Sequence, residues 1–144
     1  MATTEAQDQI IEEFAILDGD QEMMNFYIVE LGQKMELLGE EYMIDDNLVK
    51  GCQSKVWLKS ELTGDKVKYL ADSNTAITKG LVSLLIRVFS GQTPEDIIST
   101  EIYFPEKIGM SRFIGTQRSN GFLAMIKQMK LEAIAYRVVL ENQN

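Results

Sequence analysis

The spacing of apolar residues changes several times along the chain, and each change marks an element. Ile10, Phe14 and Leu17 recur at helical spacing. Thr4-Glu5-Ala6-Gln7 ahead of them fits a capping box, which predicts a first helix with Thr4 as N-cap, ending at Asp18-Gly19. Met24, Tyr27, Ile28, Leu31, Met35 and Leu38 form a second stripe, with Asp20 as N-cap and Gly39 as its stop. Residues 40–47 are acidic and read as a solvated loop.

The period then drops to two. Val56 and Leu58 alternate with Lys55, Trp57 and Lys59, and beyond the turn Thr63-Gly64-Asp65 the alternation resumes through Val67, Tyr69 and Ala71. This predicts a β-hairpin over residues 55–62 and 66–71. A lone hairpin is marginal in water, so residues 47–50 are expected to add a short strand.

Asp72-Ser73-Asn74-Thr75 is a capping cluster ahead of Ile77, Leu81, Leu84, Leu85 and Val88. Val82, Ile86 and Phe89 fill other faces, so this helix is predicted to be the central buried one, ending at Ser90-Gly91. Thr93-Pro94-Glu95-Asp96 starts a short helix. Residues 102–114 predict short turns and loop. A last helix runs from Thr116 to about Glu141, burying Phe122, Met125, Ile126, Met129, Ala133, Tyr136 and Leu140. The expected fold class is α+β: one domain over residues 1–144, with a small antiparallel sheet (hairpin plus short strand) packed against several helices.

Composition narrows the chemistry. The net charge of −8 argues against nucleic acid and against an anionic membrane surface as partners. No long apolar run predicts a transmembrane helix. The amino-terminal residues do not read as a secretory signal, and the single cysteine cannot form an internal disulfide, so a cytoplasmic location is expected. The chain has no histidine, which removes a Cys–His catalytic pair and a Cys/His zinc site. One thiolate is too few for a cluster held by one chain, which disfavours an iron–sulfur scaffold. No cofactor of its own is expected. Asp18-Gly19-Asp20 is not a calcium loop, because Met23 stands where that loop needs glycine.

The remaining candidate is Cys52, in Gly51-Cys52-Gln53-Ser54-Lys55-Val56-Trp57. It precedes the first strand, so the thiol should stand on a loop at the strand's mouth. Lys50, Lys55 and Arg118 are candidates to stabilise a thiolate, and Gly51 eases approach of another backbone. Without a base, the available chemistry is sulfur exchange on a disulfide or persulfide. The plainer reading, a buried Cys acting as a small hydrophobe, stands beside it. Arg118, at a helix N-terminus, gains nothing from the dipole and is expected either to pair with a buried carboxylate or to contact the Cys52 loop.

The cysteine segment, Ala71-Asp72-Ser73-Asn74 with Ile77-Thr78-Lys79-Gly80-Leu81, Gly91-Gln92-Thr93-Pro94-Glu95-Asp96-Ile97, Arg118-Ser119-Asn120-Gly121-Phe122, and Tyr27-Ile28-Val29-Glu30-Leu31-Gly32 together resemble the SufE/CsdE family of sulfur-acceptor proteins. The resemblance implies a fold like that of iron–sulfur scaffold proteins. It further implies persulfide acceptance on Cys52 from a SufS/CsdA-type cysteine desulfurase, whose own cofactor is pyridoxal phosphate. Stimulation of that desulfurase and delivery of sulfur to an iron–sulfur scaffold complex would follow. Gly51, Gln53, Asp72 and Arg118 would shape or position the loop, which the resemblance allows to tuck the thiol away and turn it out. The chain would be a carrier and activator rather than a stand-alone enzyme; the alternative is an activator that docks on a desulfurase without carrying sulfur. Asn74, Thr116 and Phe113 depart from the residues common in the family, which bears on partner choice.

Overall fold

The computed structural model describes residues 2–143. The elements follow the order α1 (Ala2–Ala15), α2 (Gln21–Gln33), β1 (Val56–Thr63), β2 (Lys66–Ser73), α3 (Ala76–Phe89), α4 (Pro94–Ser99), α5 (Phe104–Lys107), α6 (Met110–Ile114) and α7 (Thr116–Asn142). The architecture is α+β, as the change of period predicts.

The two strands pair antiparallel from Val56↔Ser73 to Thr63↔Lys66. The expected third strand shrinks to a single bridge, Leu48↔Trp57. The acidic stretch before it winds into two short 3₁₀ turns, Glu40–Tyr42 and Asp45–Asn47, leaving little extended chain to pair. A second bridge, Val67↔Gln92, caps the other edge. The hairpin is therefore stabilised by its helical cover. Val56, Leu58, Val67, Tyr69 and Ala71 are buried on the covered face. The Tyr69 hydroxyl donates to the Met129 carbonyl of α7 at 2.6 Å, tying sheet to helix. Burial holds that phenol protonated far above its ordinary range.

The central helix is α3, with nine buried residues including Leu81, Leu84, Leu85, Val88 and Phe89. Large apolar side chains of this kind contribute roughly 1.5–3 kcal/mol each when removed from water. The helix packs against α1, α2, α7 and β2. It meets α2 backbone to backbone: a Cβ on Gly80 would lie 2.0 Å from the Ile28 carbonyl oxygen, and one on Gly32 would lie 2.7 Å from the Gly80 nitrogen. Arg87 of α3 grips Glu13 of α1 through two hydrogen bonds, at 3.0 and 2.6 Å, and the Tyr27 hydroxyl of α2 donates to the same carboxylate. That bonding, Arg87 first, holds Glu13 below the ordinary carboxylate range.

Two expectations near the ends of helices are corrected. Thr4 is not an N-cap; α1 is already helical at Ala2. Gln7 is buried and reaches across the fold rather than back along the helix, donating to the Glu101 carbonyl at 3.0 Å and accepting from the Tyr103 N–H at 2.8 Å. The second helix stops at Gln33 rather than Gly39, because the Lys34 N–H turns back onto the Gly32 and Leu31 carbonyls. Leu38 stays buried in the irregular chain that follows, which is why the apolar stripe outruns the helix. The first helix also ends early, at Ala15, with residues 16–19 forming a turn before α2. The caps at Asp20 and Thr93 hold: Asp20 caps α2 through the Met23 N–H, and Thr93 caps α4 with Pro94 behind it.

Gly80→Ala is predicted to force α2 and α3 apart and to cost at least about 2 kcal/mol, the overpacking range. Urea denaturation measures this; an unchanged midpoint would contradict the close approach.

Candidate functional site

The chain reaches the site through a turn. Gly51 has φ +93°, a conformation L side chains rarely adopt, and a Cβ there would lie 3.2 Å from that of Ala124 on α7. This turn lowers Cys52 onto the first part of α7. The thiol is half-buried, and its S–H donates to the Gly121 carbonyl at 3.3 Å. Gly121 makes the seat possible, since a Cβ at that position would touch Sγ at 3.4 Å and the Cys52 Cα at 3.7 Å.

The far side of the loop is pinned by side chains ahead of α3. The Lys55 N–H donates to the Asn74 amide oxygen at 2.9 Å, and the Ser73 hydroxyl donates to the Lys55 carbonyl at 2.8 Å. Thr75 and the buried Thr78 both donate to the Ser54 hydroxyl, at 3.2 and 3.3 Å. The capping cluster read from sequence thus serves the loop more than the helix: Thr75 is N-cap by position without a side-chain cap bond. Asn74 fulfils its part with an amide oxygen, so no carboxylate is needed there.

Beside the thiol opens a cavity of about 400 Å³. Cys52, Gln53 and Ser54 form one wall, Thr78 and Leu81 of α3 another, and Ile114 with the start of α7, including Arg118 and Gly121, the rest. Gly115, with φ +87°, is the boundary from which α7 starts, so the helix start is defined with Thr116 in place of a proline. Phe113 is partly buried against the core, and its carbonyl accepts from Asn25 of α2 at 3.4 Å.

The sequence-predicted residues divide. Cys52, Gln53 and Arg118 line the same cavity, and Gly51 sets the turn into it. Asp72 does not line it. Its carboxylate accepts from the Ser73 N–H at 2.8 Å and pairs with Lys79 at 3.3 Å, and in the hairpin it stands opposite Trp57. Arg118 is exposed, donates to the Ile114 carbonyl at 3.2 Å, and has no carboxylate partner among the described residues; it shares the cavity lining with Cys52, Gln53 and Ser54. Lys50 and Lys55 are exposed and outside the cavity lining. Burial pushes the Cys52 thiol up from its ordinary range.

Sequence reasoning missed the structural part of Gly121, Ser54 and Thr78. A signal was present for the first. Glycine inside a helix costs about 1 kcal/mol relative to alanine and marks a close approach when retained. Among the described residues no group of three or more Cys, His, Asp or Glu is arranged to hold a metal ion. Nor is any helix there long and apolar enough to cross a membrane.

Comparison with known proteins covers the same span. The SufE family, described as an Fe-S metabolism associated domain, matches residues 8–133. An uncharacterized SufE-like protein of Rhizobium etli is 36% identical over 131 residues, covering 88% of this chain and 88% of its own. One from Rhizobium meliloti is 34% identical over 131 residues, covering 88% and 93%. A third, from Synechocystis, is 38% identical over 107 residues, covering 74% and 67%. The fold is similar to the solution structure of a hypothetical protein from Thermus thermophilus, with TM-score 0.76 at 18% identity, covering 92% of this chain and 96% of that one. With the family matched from the first helix into the last, a span that includes the cysteine loop, the chain belongs to the SufE family of proteins associated with iron–sulfur metabolism.

Proposed function

We propose that this protein accepts persulfide sulfur from a cysteine desulfurase on Cys52 and hands it to an iron–sulfur cluster scaffold, raising the desulfurase's turnover by clearing its persulfide. The observation that carries this reading is the seat of Cys52: a lone thiol on a glycine turn, held by one weak hydrogen bond beside an open cavity, in a chain of this family.

The step is a displacement at sulfur. The Cys52 thiolate attacks the outer sulfur of the partner's persulfide. A new S–S bond forms on Cys52, the partner's S–S bond breaks, and the partner's cysteine leaves as thiolate. Oxidation levels balance without a further reagent. The chain brings no cofactor of its own; pyridoxal phosphate belongs to the desulfurase. A cytoplasmic location goes with this reading.

Ionisation and motion are coupled at the seat. The neutral thiol donates to the Gly121 carbonyl. A thiolate has no proton to donate and is repelled by that oxygen, so losing the proton favours leaving the seat. The loop's downstream end is tied to Ser73, Asn74 and Thr78, so movement is confined to the turn around Gly51 and Gln53. Local opening of such a segment costs far less than unfolding. In this reading Arg118 offers its guanidinium to the anion at the cavity's edge. Asp72, through Ser73 and Lys79, holds the end of the hairpin from which the loop hangs.

Two outcomes test it. Without the desulfurase, iodoacetamide is predicted to alkylate Cys52 more slowly than a short peptide of the same loop, with a midpoint at higher pH than the peptide's. The sign follows from the raised thiol: the native state keeps its proton longer, so this residue's contribution to stability is full below the unfolded thiol's pKa and is lost as pH rises through the folded one. A midpoint at or below the peptide's would mean that the thiol is already activated at rest. In turnover assays, the wild-type chain should accelerate sulfide release by a cysteine desulfurase, while Cys52→Ser should compete with it for the desulfurase but not stimulate. Equal stimulation by Cys52→Ser would make the protein a docking activator instead.

A further inference from the structure

Acidic and basic residues are segregated along this chain. Residues 47–60 and 107–131 hold eight of its 14 cations and none of its 22 acids, so they carry +8 while the remainder carries −16. The fold joins the two stretches at the functional site. Cys52 of the first donates to the Gly121 carbonyl of the second, and Gly51 sits against Ala124. The ion pairs follow the same division. All five among the described residues use a cation of the remainder: Lys34, Lys68, Lys79, Arg87 and Arg137. None of them uses any of the eight.

Two of the eight are engaged elsewhere: Lys59 lies over the Tyr42 ring, and Lys130 donates to the Ile98 and Thr100 carbonyls. Four stand around the cysteine loop. Lys50 and Lys55 flank it in sequence and are exposed. Arg118 lines the cavity, which has no Asp or Glu in its wall. Lys127 is exposed and lies one turn beyond Ala124 on the same side of α7. Asp72, at the end of the hairpin, is already paired with Lys79. Like charges gathered in this way repel one another and add nothing to the stability of the fold. They are complementary to an anionic surface outside it. The −16 remainder repels an extended polyanion such as nucleic acid, so the patch fits a local acidic surface on another protein.

We propose that the face around Cys52 is met by a rim of carboxylates around the desulfurase's persulfide, drawn to Lys50, Lys55, Arg118 and Lys127. The inference rests on the sulfur-transfer reading and adds the chemistry of the partner's surface. Such a rim attracts the cysteine face and repels the rest of the chain, so charge orients the encounter as well as speeding it. The attraction acts over a distance and is therefore lost as salt is added.

The test is the initial rate of sulfur gain on Cys52, read by intact-protein mass spectrometry, with desulfurase and chain both dilute. From low salt to about 0.5 M the rate should fall about tenfold or more. Lys50→Glu/Lys127→Glu, one residue from each stretch, should lower the low-salt rate about tenfold and flatten its salt dependence, with an unchanged circular dichroism spectrum. The rate at saturating chain should stay as in the wild type. Lys66→Glu makes the same change of charge as Lys127→Glu at the far tip of the hairpin, about 23 Å from Val56, and should alter the rate less than about twofold. A rate indifferent to salt and to the double variant would overturn the inference and leave the sulfur-transfer reading standing. So would a loss in Lys66→Glu equal to that in Lys127→Glu. Salt-indifferent transfer together with binding of a short DNA or RNA duplex, abolished by the double variant, would give the face to nucleic acid and overturn it too. No sulfur gain at any salt would overturn both.

Discussion

The contact on which the rest of the structure depends is the one between Gly32 and Gly80. No side chain separates α2 from α3 there, so the helices are as close as backbones allow. That spacing reaches the functional site from two directions. Helix α3 supplies Thr78 and Leu81 to the cavity wall. Helix α2 packs on α6, whose Ile114 forms part of the opposite side. The separation of the two helices thus bears on the width of the space beside Cys52. The clamp of Arg87 and Tyr27 on Glu13 ties α1 into the same unit.

Within that rigid frame the cysteine loop is the lightly held part. Its downstream end is fixed by four side-chain hydrogen bonds and one backbone bond to residues just before and within α3, while the thiol has a single bond to a helix carbonyl. The two readings of Cys52 open at the level of sequence, a buried small hydrophobe and an exposed nucleophile, describe two positions of one loop in the proposed cycle. At rest, burial keeps the thiol protonated and spares it from oxidants, which act on the thiolate. A desulfurase that draws the loop outward would remove that restraint at the moment of use.

The architecture was legible where one force decides. Alternation identified the hairpin because one face of it is buried, and the density of apolar residues identified α3 as central because packing reaches it from several sides. Caps made of local hydrogen bonds, at Asp20 and Thr93, were legible for the same reason. The failures lie where a residue's partner is distant in sequence. Gln7 matches a cap motif but bonds residues from Glu101 to Phe104. The apolar stripe of α2 continues past the helix because Leu38 packs without being helical. Around the cavity, Cys52 was legible from its uniqueness, Gly51 from its place before the thiol, Arg118 as a candidate cation, and Gln53 from resemblance. The seat at Gly121 was not, since the spacing of residues 52 and 121 says nothing of their contact until α7 is placed.

The most direct measurement is intact-protein mass spectrometry of the chain mixed with a cysteine desulfurase, pyridoxal phosphate and free cysteine, with no reductant. Sulfur transfer to Cys52 predicts a gain of one or more sulfur atoms, localised to the peptide holding Cys52 and removed by reduction. An unchanged mass while the same mixture shows faster desulfurase turnover would contradict it.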